Sequence, residues 1–392
     1  MDTEGTAART GARAELEQAL LDAHERTWAI LADLAPGQWQ VPYHVGINPP
    51  RWEYGHVAWF AEWWVLRDAC WNDRDEIVTR RSSMLPGADR WFDSGSVPHV
   101  DRWTLDLPPL DELRDYARAV LEGVRARLAS GDDKDLYTFR LALFHEDMHG
   151  EALTSMRQTL DYASPPWLAM PSLSEDGGDA PVPGGIFVQG SPRAEGFVFD
   201  NEKWAHERTL APYRISRRCV ANAAYAEFVE AGGYSDRRFW SGEGLAWLDC
   251  ARPAHPERWR KGRDGWEHRW FGRWEPLPRA GPVCQVNAYE AEAYCRWAGR
   301  RLPSEAEWER AAARGAIEWG GTVWEWTADA FAPYPGFSSD RYREYSRPWF
   351  HTHRSVRGGS FATRPRMHHP RYRNFYLPDR RDLFIGFRTC SA

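Results

Sequence analysis

The sequence lacks a long hydrophobic run. No stretch reaches the about 18 consecutive apolar residues that a transmembrane helix needs, and the mean hydropathy is -0.65. Residues 1–15 are polar and contain no apolar core of a secretory signal. We therefore expect a cytoplasmic protein that does not bind a membrane.

An excess of basic charge is also missing. The 392 residues include 50 Lys and Arg against 56 Asp and Glu, which gives a net charge of -6. Proteins that bind nucleic acid usually carry a basic face that neutralises phosphates. The composition disfavours nucleic acid as a partner and fits an enzyme that acts on small molecules.

Cysteine is scarce and forms no dense pattern. The six cysteines include no Cys-x-x-Cys pair, so their spacing favours free thiols over a disulfide framework. They lie at positions 70, 219, 250, 284, 295 and 390.

The most informative stretch reads LALFHEDMHGEAL and spans residues 141–153. On a helix, His145 and His149 lie one turn apart on the same face, and two imidazoles directed at one point suit a transition metal. The string is also a His-Glu-x-x-His motif, in which Glu146 would be the base of a zinc hydrolase. The His pair therefore predicts a metal site. No third histidine follows at the metzincin offset, so a zinc hydrolase remains only an alternative.

Four amphipathic segments predict a helical bundle in residues 1–162. Between the second and third segments lies a long loop, 71–109. His56 falls on an aromatic stripe of the second helix with Trp59, Phe60 and Trp63, a position that by itself is more typical of a core histidine than of a ligand. The predicted helices are Gly11–Leu34, Arg51–Arg67, Leu110–Leu128 and Asp133–Leu160.

A Pro- and Gly-rich change of composition predicts a linker, 163–182, before a second domain, 183–392. Ile186–Val188 and Phe197–Phe199 are strand-like, and 240–274 is expected to form loops and hairpins. Two capping boxes predict helices at Ala288–Ala298 and Glu305–Arg314. The predicted fold class is therefore α+β, with a helical bundle followed by a small mixed domain.

Six phrases, in this order, resemble a known family over nearly the whole chain. The chain is similar to the hercynine-utilising non-haem iron sulfoxide synthases of ergothioneine biosynthesis, which join a DinB-like four-helix bundle to a formylglycine-generating-enzyme-like domain related to C-type lectins. The phrases are NPPRWEYGHVAWFAEWW (48–64), FHEDMHGEAL (144–153), YCRWAGRRLPSEAEWERAA (294–312), TVWEWT (322–327), VRGGSFAT (356–363) and RYRNFYLPDRRDLFIGFR (371–388).

The resemblance implies a chemistry and a set of site residues. It makes His56, His145 and His149 the ligands of Fe(II), with O₂ as a co-substrate and hercynine as the acceptor of a chalcogen atom at imidazole C2. It implies contacts to hercynine from Asn374 and Phe375, whose amide and aromatic face suit a carboxylate and a trimethylammonium. Tyr376 and Arg380, from the same run, complete the predicted binding residues, although the arginine could equally pair with a neighbouring aspartate.

Two departures from the family pattern bear on the reaction. Sulfoxide synthases that use γ-glutamylcysteine have an acidic residue where Tyr376 stands, and their bundle loop is rich in arginine, whereas loop 91–109 reads WFDSGSVPHVDRWTLDLPP. That loop looks more like the loop of selenoneine synthases, which predicts a selenosugar as the donor. Cysteine or γ-glutamylcysteine is the alternative donor.

The second departure concerns the tyrosine that, in the sulfoxide synthases, donates a proton or a hydrogen atom to the iron-bound oxygen species. Phe331 occupies the position where we align this tyrosine, so Tyr334 is the predicted catalytic residue, with another tyrosine or water as alternatives.

Two other classes of protein share part of this sequence pattern. A copper-dependent formylglycine-generating enzyme is disfavoured, because only Cys390 lies near the C-terminus. A lectin-like binding module fused to an inert bundle would require the three histidines to be coincidental.

Overall fold

The computed structural model describes residues 4–131, 135–175, 177–193, 196–240 and 242–392. It divides into two compact units, Met1–Met156 and Arg157–Ala392. The predicted linker falls within the second of these units, and its last four residues form a strand, Asp179–Val182. The domain limits stay a prediction. Within the described ranges, no helix is both long and apolar enough to cross a membrane.

The first unit is built on the four predicted long helices. In the described part of the chain its helices are α1 (Glu4–Thr10), α2 (Arg13–Leu31), α3 (Pro50–Ala61), α4 (Ala88–Phe92), α5 (Leu110–Ser130) and α6 (Tyr137–Thr159). The four-helix prediction is confirmed, although its residues 133 and 134, predicted as the start of the last helix, lie outside the described residues.

Local sequence explains where the long helices begin and end. Helix α3 starts at Pro50 behind Pro49, because proline is tolerated in the first turn, where its missing N–H costs nothing. Its end runs into a π-helix, Glu62–Leu66, in which the Arg67 N–H donates to the Glu62 carbonyl at 2.9 Å. Helix α5 ends at Gly131, whose φ of 78° suits glycine.

The predicted long loop at 71–109 contains short regular elements that its lack of periodicity did not indicate. The segment contains helix α4, a 3-10 helix (His99–Trp103) and, with residue 70, a short hairpin of β1 (Cys70–Trp71) and β2 (Ile77–Val78). A bidentate ion pair attaches α4 to the end of the π-helix, since Arg67 donates to both Asp89 oxygens at 2.6 and 2.9 Å. Such long-range pairing leaves no periodicity that sequence analysis could detect.

The second unit combines four helices with two four-stranded sheets, a two-stranded sheet and a three-stranded sheet in its described part. The helices are α7 (Asn222–Glu230), α8 (Glu243–Ala251), α9 (Ala288–Trp297) and α10 (Glu305–Ala313). The strands are β3 (Asp179–Val182), β4 (Gly185–Gln189), β5 (His206–Leu210), β6 (Tyr213–Ser216), β7 (Trp259–Lys261), β8 (Trp266–Trp270), β9 (Arg273–Pro276), β10 (Arg300–Arg301), β11 (Trp324–Ala330), β12 (Arg354–Arg357), β13 (Asn374–Tyr376), β14 (Ile385–Gly386) and β15 (Cys390–Ser391).

The sheet order places the final phrases of the sequence side by side. One four-stranded sheet has the order β13-β12-β11-β14, and the other has β10-β15-β6-β3. Strand β13 is the edge of the first sheet and pairs antiparallel with β12, with Phe375 opposite Ser355. The predicted substrate residues Asn374, Phe375 and Tyr376 therefore form one short edge strand.

Capping boxes at α9 and α10 confirm the predicted helices there, through Asn287 with Glu290 and Ser304 with Glu307. Of two further local predictions, one is wrong and the other is confirmed in part. Phe197–Phe199 is not a strand but a buried aromatic segment whose two phenylalanines contact edge to face at 4.9 Å. Segment 240–274 contains predicted hairpins, formed by β7, β8 and β9. It also includes helix α8, which begins without a side-chain cap and so gave no start signal.

Candidate metal centre

Three histidines of the first unit meet in the bundle interior. One nitrogen each of His56, His145 and His149 lies within 4.8 Å of the others. His56 comes from α3, and the other two come from one face of α6. His56 and His145 are buried and His149 is half-buried. The i, i+4 pair predicted from the sequence is therefore joined by the third predicted histidine, whose role as a ligand stays a prediction.

Hydrogen bonds fix the tautomer of two of these imidazoles. The Nδ1 atom of His56 lies 2.7 Å from the carbonyl oxygen of Phe92, which can only accept, so Nδ1 carries the proton. The Nδ1 atom of His149 lies 2.6 Å from the Glu53 Oε1 atom, and the buried carboxylate likewise accepts. Both arrangements leave Nε2 with a lone pair for a metal, the usual arrangement around metal-binding histidines.

His145 is oriented by stacking. Its ring lies parallel to that of Phe60, with 3.5 Å between centroids and 6° between planes. Its Nδ1 atom is buried and has no hydrogen-bond partner among the described residues, so the imidazole lacks one of its ordinary interactions. Coordination of a metal through one ring nitrogen would compensate for the cost of burying the His145 imidazole. Three neutral imidazoles fit Fe(II), Zn(II) or Cu(II).

The electrostatics of the cluster favour the neutral imidazoles that metals bind. Burial lowers the pKa of His56 and of His145 well below the ordinary value, and the charge of a protonated His149 would lower each pKa further. The two buried rings are therefore unprotonated at neutral pH.

Two tryptophans lie on either side of His56. The Trp52 ring stacks on the imidazole at 4.8 Å and 10°, and the Trp59 ring at 5.9 Å and 25°. The Trp52 Nε1 atom donates to the Trp91 carbonyl at 2.6 Å, and the Arg102 guanidinium lies 4.0 Å from the Trp52 ring centroid. Loop 91–109 is therefore attached to the helix that carries His56.

A glycine makes the Phe92 contact possible. A Cβ atom at Gly55 would lie 2.4 Å from the Phe92 ring, so only glycine lets this ring pack on α3. The packing brings the Phe92 carbonyl to His56, the next residue after Gly55. Neither Phe92 nor Gly55 was singled out from the sequence, because this contact depends on tertiary packing.

Glu146 does not share the site with the three histidines. Its Oε1 atom lies 3.9 Å from the His24 Nδ1 atom of α2, and its side chain lines a small cavity with Tyr54 and Leu20. Glu146 thus lies beside His24 of α2, whereas Glu53 contacts His149 directly. This geometry argues against Glu146 as the base of a zinc hydrolase.

We predict that Glu53→Gln lowers metal affinity by about 10–100-fold, the usual cost of losing a carboxylate behind a ligating histidine. The amide retains the size of the side chain but weakens the hydrogen bond that holds His149. Metal titration followed by atomic absorption would measure the affinity. Glu146→Gln is the matched control and should leave it within a factor of about two or three; equal losses in both variants would contradict the assignment of Glu53.

Asn374, Phe375 and Tyr376 lie in the second unit as neighbours on β13. The Asn374 Nδ2 atom donates to the Tyr376 hydroxyl at 3.0 Å, as expected for residues two apart on one face of a strand. Phe375 stacks on Phe331, with 4.2 Å between centroids and 17° between planes. The strand therefore offers an amide and a hydroxyl together, and its aromatic ring packs against Phe331.

Arg380 is engaged in an ion pair. Its Nε and Nη2 atoms donate to Asp382 at 2.6 and 2.7 Å. This is the pairing that the sequence left open, and Asp382 is a partner. A role for Arg380 in substrate binding stays a prediction.

Tyr334 is buried in the second unit. Its hydroxyl oxygen accepts a hydrogen bond from the Gln189 Nε2 atom at 2.8 Å, and the Arg373 guanidinium lies 4.0 Å from its ring centroid. Burial raises the pKa of Tyr334 above the ordinary value, so its hydroxyl keeps its proton. Phe331 is fully buried. The catalytic role of Tyr334 stays a prediction.

A buried ionic network behind β13 was not predicted. Arg373 donates to both Glu305 oxygens at 2.9 Å and to the Asn201 and Ala332 carbonyls at 2.6 and 3.0 Å. It therefore joins the start of β13 to the segment that leads to Tyr334. The adjacent arginine and asparagine in the RYRNFY phrase were the only signal in the sequence.

Comparisons with known proteins agree with this two-part organisation. The DinB superfamily model matches residues 19–154, and the sulfatase-modifying factor enzyme 1-like domain model matches residues 174–320 and 313–392. The formylglycine-generating enzyme of Mycobacterium tuberculosis is 39% identical over 156 residues, which cover 34% of this chain and 50% of that enzyme. The predicted fold, a DinB-like bundle followed by a formylglycine-generating-enzyme-like domain, is confirmed.

Hercynine oxygenases match this chain nearly from end to end. The enzyme of Mycolicibacterium smegmatis is 32% identical in an alignment of 434 positions, and the match covers 96% of this chain and 98% of that enzyme. The enzyme of Mycobacterium tuberculosis is 31% identical in an alignment of 412 positions, and the match covers 91% of this chain and 94% of that enzyme. This coverage in both directions shows that the chain belongs to the hercynine oxygenase family.

Proposed function

We propose that the protein is an O₂-dependent iron(II) oxidoreductase that joins a chalcogen atom to imidazole C2 of hercynine. The observation that carries this proposal is the buried cluster of His56, His145 and His149 in a chain of the hercynine oxygenase family. These three residues would hold the iron. Iron on three neutral imidazoles would supply Lewis acidity, O₂ activation and open coordination positions.

The protein's own side chains would prepare the site in two ways. In the first unit, the Phe92 carbonyl and the Glu53 carboxylate keep Nδ1 of His56 and His149 protonated, so that both rings present Nε2 in a fixed orientation. Burial lowers the pKa of His56 and of His145, so both imidazoles are already neutral at neutral pH. The site is thus preorganised for a metal.

In the second unit, β13 supplies the groups proposed for hercynine. Asn374 offers an amide for the carboxylate, and Phe375 offers an aromatic face for the trimethylammonium. Tyr334 is proposed to hold and donate the proton, because Phe331 has no hydroxyl. The hydrogen bond from Gln189 and the stacked Arg373 fix the Tyr334 side chain in one position.

We further propose a selenosugar as the donor. A γ-glutamylcysteine donor would need charged partners, and Tyr376 is neutral where the family resemblance implies an acidic residue in sulfoxide synthases that use this donor. The single arginine of loop 91–109, Arg102, already donates to the Asn48 Oδ1 atom at 2.7 Å and stacks on Trp52. A sugar bound mainly by neutral groups fits these residues better than a dipeptide, and a thiol donor is the alternative.

Reconstitution with Fe(II) under anaerobic conditions, followed by addition of air and hercynine, tests both levels of the proposal. A selenosugar, γ-glutamylcysteine and cysteine are supplied in separate reactions, and mass spectrometry identifies the products. We expect a carbon–selenium product from the selenosugar alone. Coupling only with a thiol would replace the selenium assignment by sulfoxide synthesis, and no coupling with any donor in iron-loaded protein would overturn the proposed reaction.

Phe375→Ala is expected to raise the KM for hercynine by about 2–30-fold, which corresponds to the about 0.5–2 kcal/mol of a cation–π contact. Phe375→Trp is the conservative control and should retain the affinity, because it keeps an aromatic face. Steady-state kinetics at a fixed donor concentration would measure both. An unchanged KM in Phe375→Ala would remove this ring from the hercynine site.

Metal content separates the proposal from the other classes. An inert bundle with a lectin-like module would retain no stoichiometric transition metal after reconstitution, and a zinc hydrolase would be active with zinc and without O₂. The Glu146 geometry described above already disfavours the hydrolase.

A further inference from the structure

Trp52 and Trp59 have different electrostatic surroundings although both flank His56. The Arg102 guanidinium lies 4.0 Å from the Trp52 ring centroid, and the Trp52 N–H donates to a neutral backbone carbonyl. The Trp59 N–H instead donates to the Asp89 Oδ1 atom at 2.7 Å. A cation over an indole makes loss of an electron harder, whereas a carboxylate on its N–H makes it easier.

Asp89 is suited to remain an anion. Burial raises its pKa, but hydrogen bonds from Arg67 and Trp59 and the charge of Arg67 lower it by more, so the pKa lies below its ordinary value. Its side chain is 48% exposed, so a proton that it receives can pass to solvent.

The stack continues from Trp59 toward the surface. The ring centroids of Trp59 and Trp63 lie 5.0 Å apart, with 33° between the ring planes. Trp63 is half-buried, whereas Trp59 is buried. The Arg67 guanidinium lies 4.7 Å from the Trp63 ring centroid, which disfavours a lasting positive charge on Trp63. His145 stacks on Phe60, and a phenyl ring is much harder to oxidise than an indole. Among these aromatic neighbours, Trp59 is the best placed to be oxidised.

We propose that Trp59 is the electron donor that protects the metal centre when O₂ is activated without productive coupling. This inference rests on the proposed iron and O₂ chemistry. Without a chalcogen donor, the substrates supply too few electrons to complete the reduction of O₂ at the metal centre. Trp59 supplies one electron to the centre and passes its N–H proton to Asp89, which leaves a neutral indolyl radical.

The radical has two fates, and both balance. A soluble reductant at the surface, such as ascorbate or a thiol, returns one electron through Trp63, and a proton returns from Asp89 or water, which restores Trp59. Without such a reductant the radical combines with O₂ to form a peroxyl radical. One electron from the Fe(II) of another protein molecule and one proton from water convert it to a hydroperoxide, which rearranges to a ring-opened product that keeps both added oxygen atoms. Trp59 thus serves as a replaceable site of oxidation next to ligands that must remain intact.

The test uses full-length protein loaded with Fe(II) and exposed to air and hercynine without a chalcogen donor. Peptide mass spectrometry maps the added oxygen atoms, with zinc-loaded protein as the control for adventitious oxidation. We expect oxidation at Trp59 that exceeds that at Trp52 at least severalfold, that is absent with zinc, and that ascorbate suppresses. Electron paramagnetic resonance of samples frozen after mixing should show an indolyl radical.

Variants distinguish this role from simple proximity to the metal. Trp59→Phe should lose the radical signal and shift oxidation to the histidine ligands, whereas Trp52→Phe should keep the signal. Asp89→Asn should reduce Trp59 oxidation severalfold, provided that circular dichroism and iron content match the wild type. If Asp89→Asn alters either property, the comparison of Trp59→Phe with Trp52→Phe decides the question.

Two outcomes would overturn the inference, and they are separable from failure of the proposed function. Iron-loaded protein in which Trp52 is oxidised as much as Trp59, or in which Trp59 stays unmodified without a radical signal, would contradict this role alone. Protein that binds no iron would overturn the proposed iron chemistry and this inference together.

Discussion

Replacing His56, His145 or His149 singly by alanine is expected to abolish iron retention and turnover. Each variant removes one of three nitrogens that lie within 4.8 Å of one another, so the loss of affinity should exceed the about 10–100-fold typical for a residue behind a ligand. Iron analysis after anaerobic reconstitution and desalting measures the retention. Circular dichroism should show that the helices persist.

His24→Ala is a matched control for these variants. His24 also lies in the bundle, but it faces Glu146 at 3.9 Å and does not belong to the cluster. It should retain iron at the wild-type level. Normal iron content in all three ligand variants would disprove the ligand assignment.

Gly55→Ala is the second change with a large expected effect, although it touches no ligand. The new Cβ atom would lie 2.4 Å from the Phe92 ring, so the ring must move, and we expect the Phe92 carbonyl to shift away from the His56 Nδ1 atom with it. We expect metal affinity to fall about 10-fold or more and the free energy of unfolding to fall by about 1–3 kcal/mol through overpacking. Metal titration and urea unfolding measure the two effects.

Gly150→Ala is the control for a glycine beside a ligand. Gly150 follows His149 in α6, and its Cβ atom would meet the Ile30 Cδ1 atom at an ordinary 3.7 Å. Because alanine is favoured over glycine inside a helix, the free energy of unfolding should rise by about 0.5–1 kcal/mol with unchanged metal affinity. Normal iron binding by Gly55→Ala would show that the Phe92 carbonyl does not hold His56.

The two units contribute differently to the proposed reaction. The first unit contains a complete cluster of imidazoles with its supporting hydrogen bonds. The second contains the proposed substrate residues on one edge strand, supported by the buried Arg373 and Glu305 pair. The donor proposal rests on two sequence features, loop 91–109 and Tyr376.

Sequence by itself determined the features that rest on local patterns. The four long helices followed from apolar spacing, the starts of α9 and α10 from capping boxes, and the His145 and His149 pair from one helical turn. These interactions join residues three or four positions apart, so the order of residues specifies them. The family was also evident, because six phrases occur in the expected order.

Only the tertiary structure decided which groups surround the histidines. It brought His56 to the pair on α6, placed Glu53 behind His149 and the Phe92 carbonyl behind His56, and directed Glu146 toward α2. It also placed a cation beside Trp52 and a carboxylate beside Trp59. Within the predicted loop it formed helix α4, which the ion pair of Arg67 and Asp89 attaches to the π-helix. Such contacts join residues that are distant in sequence, and packing rather than periodicity selects them.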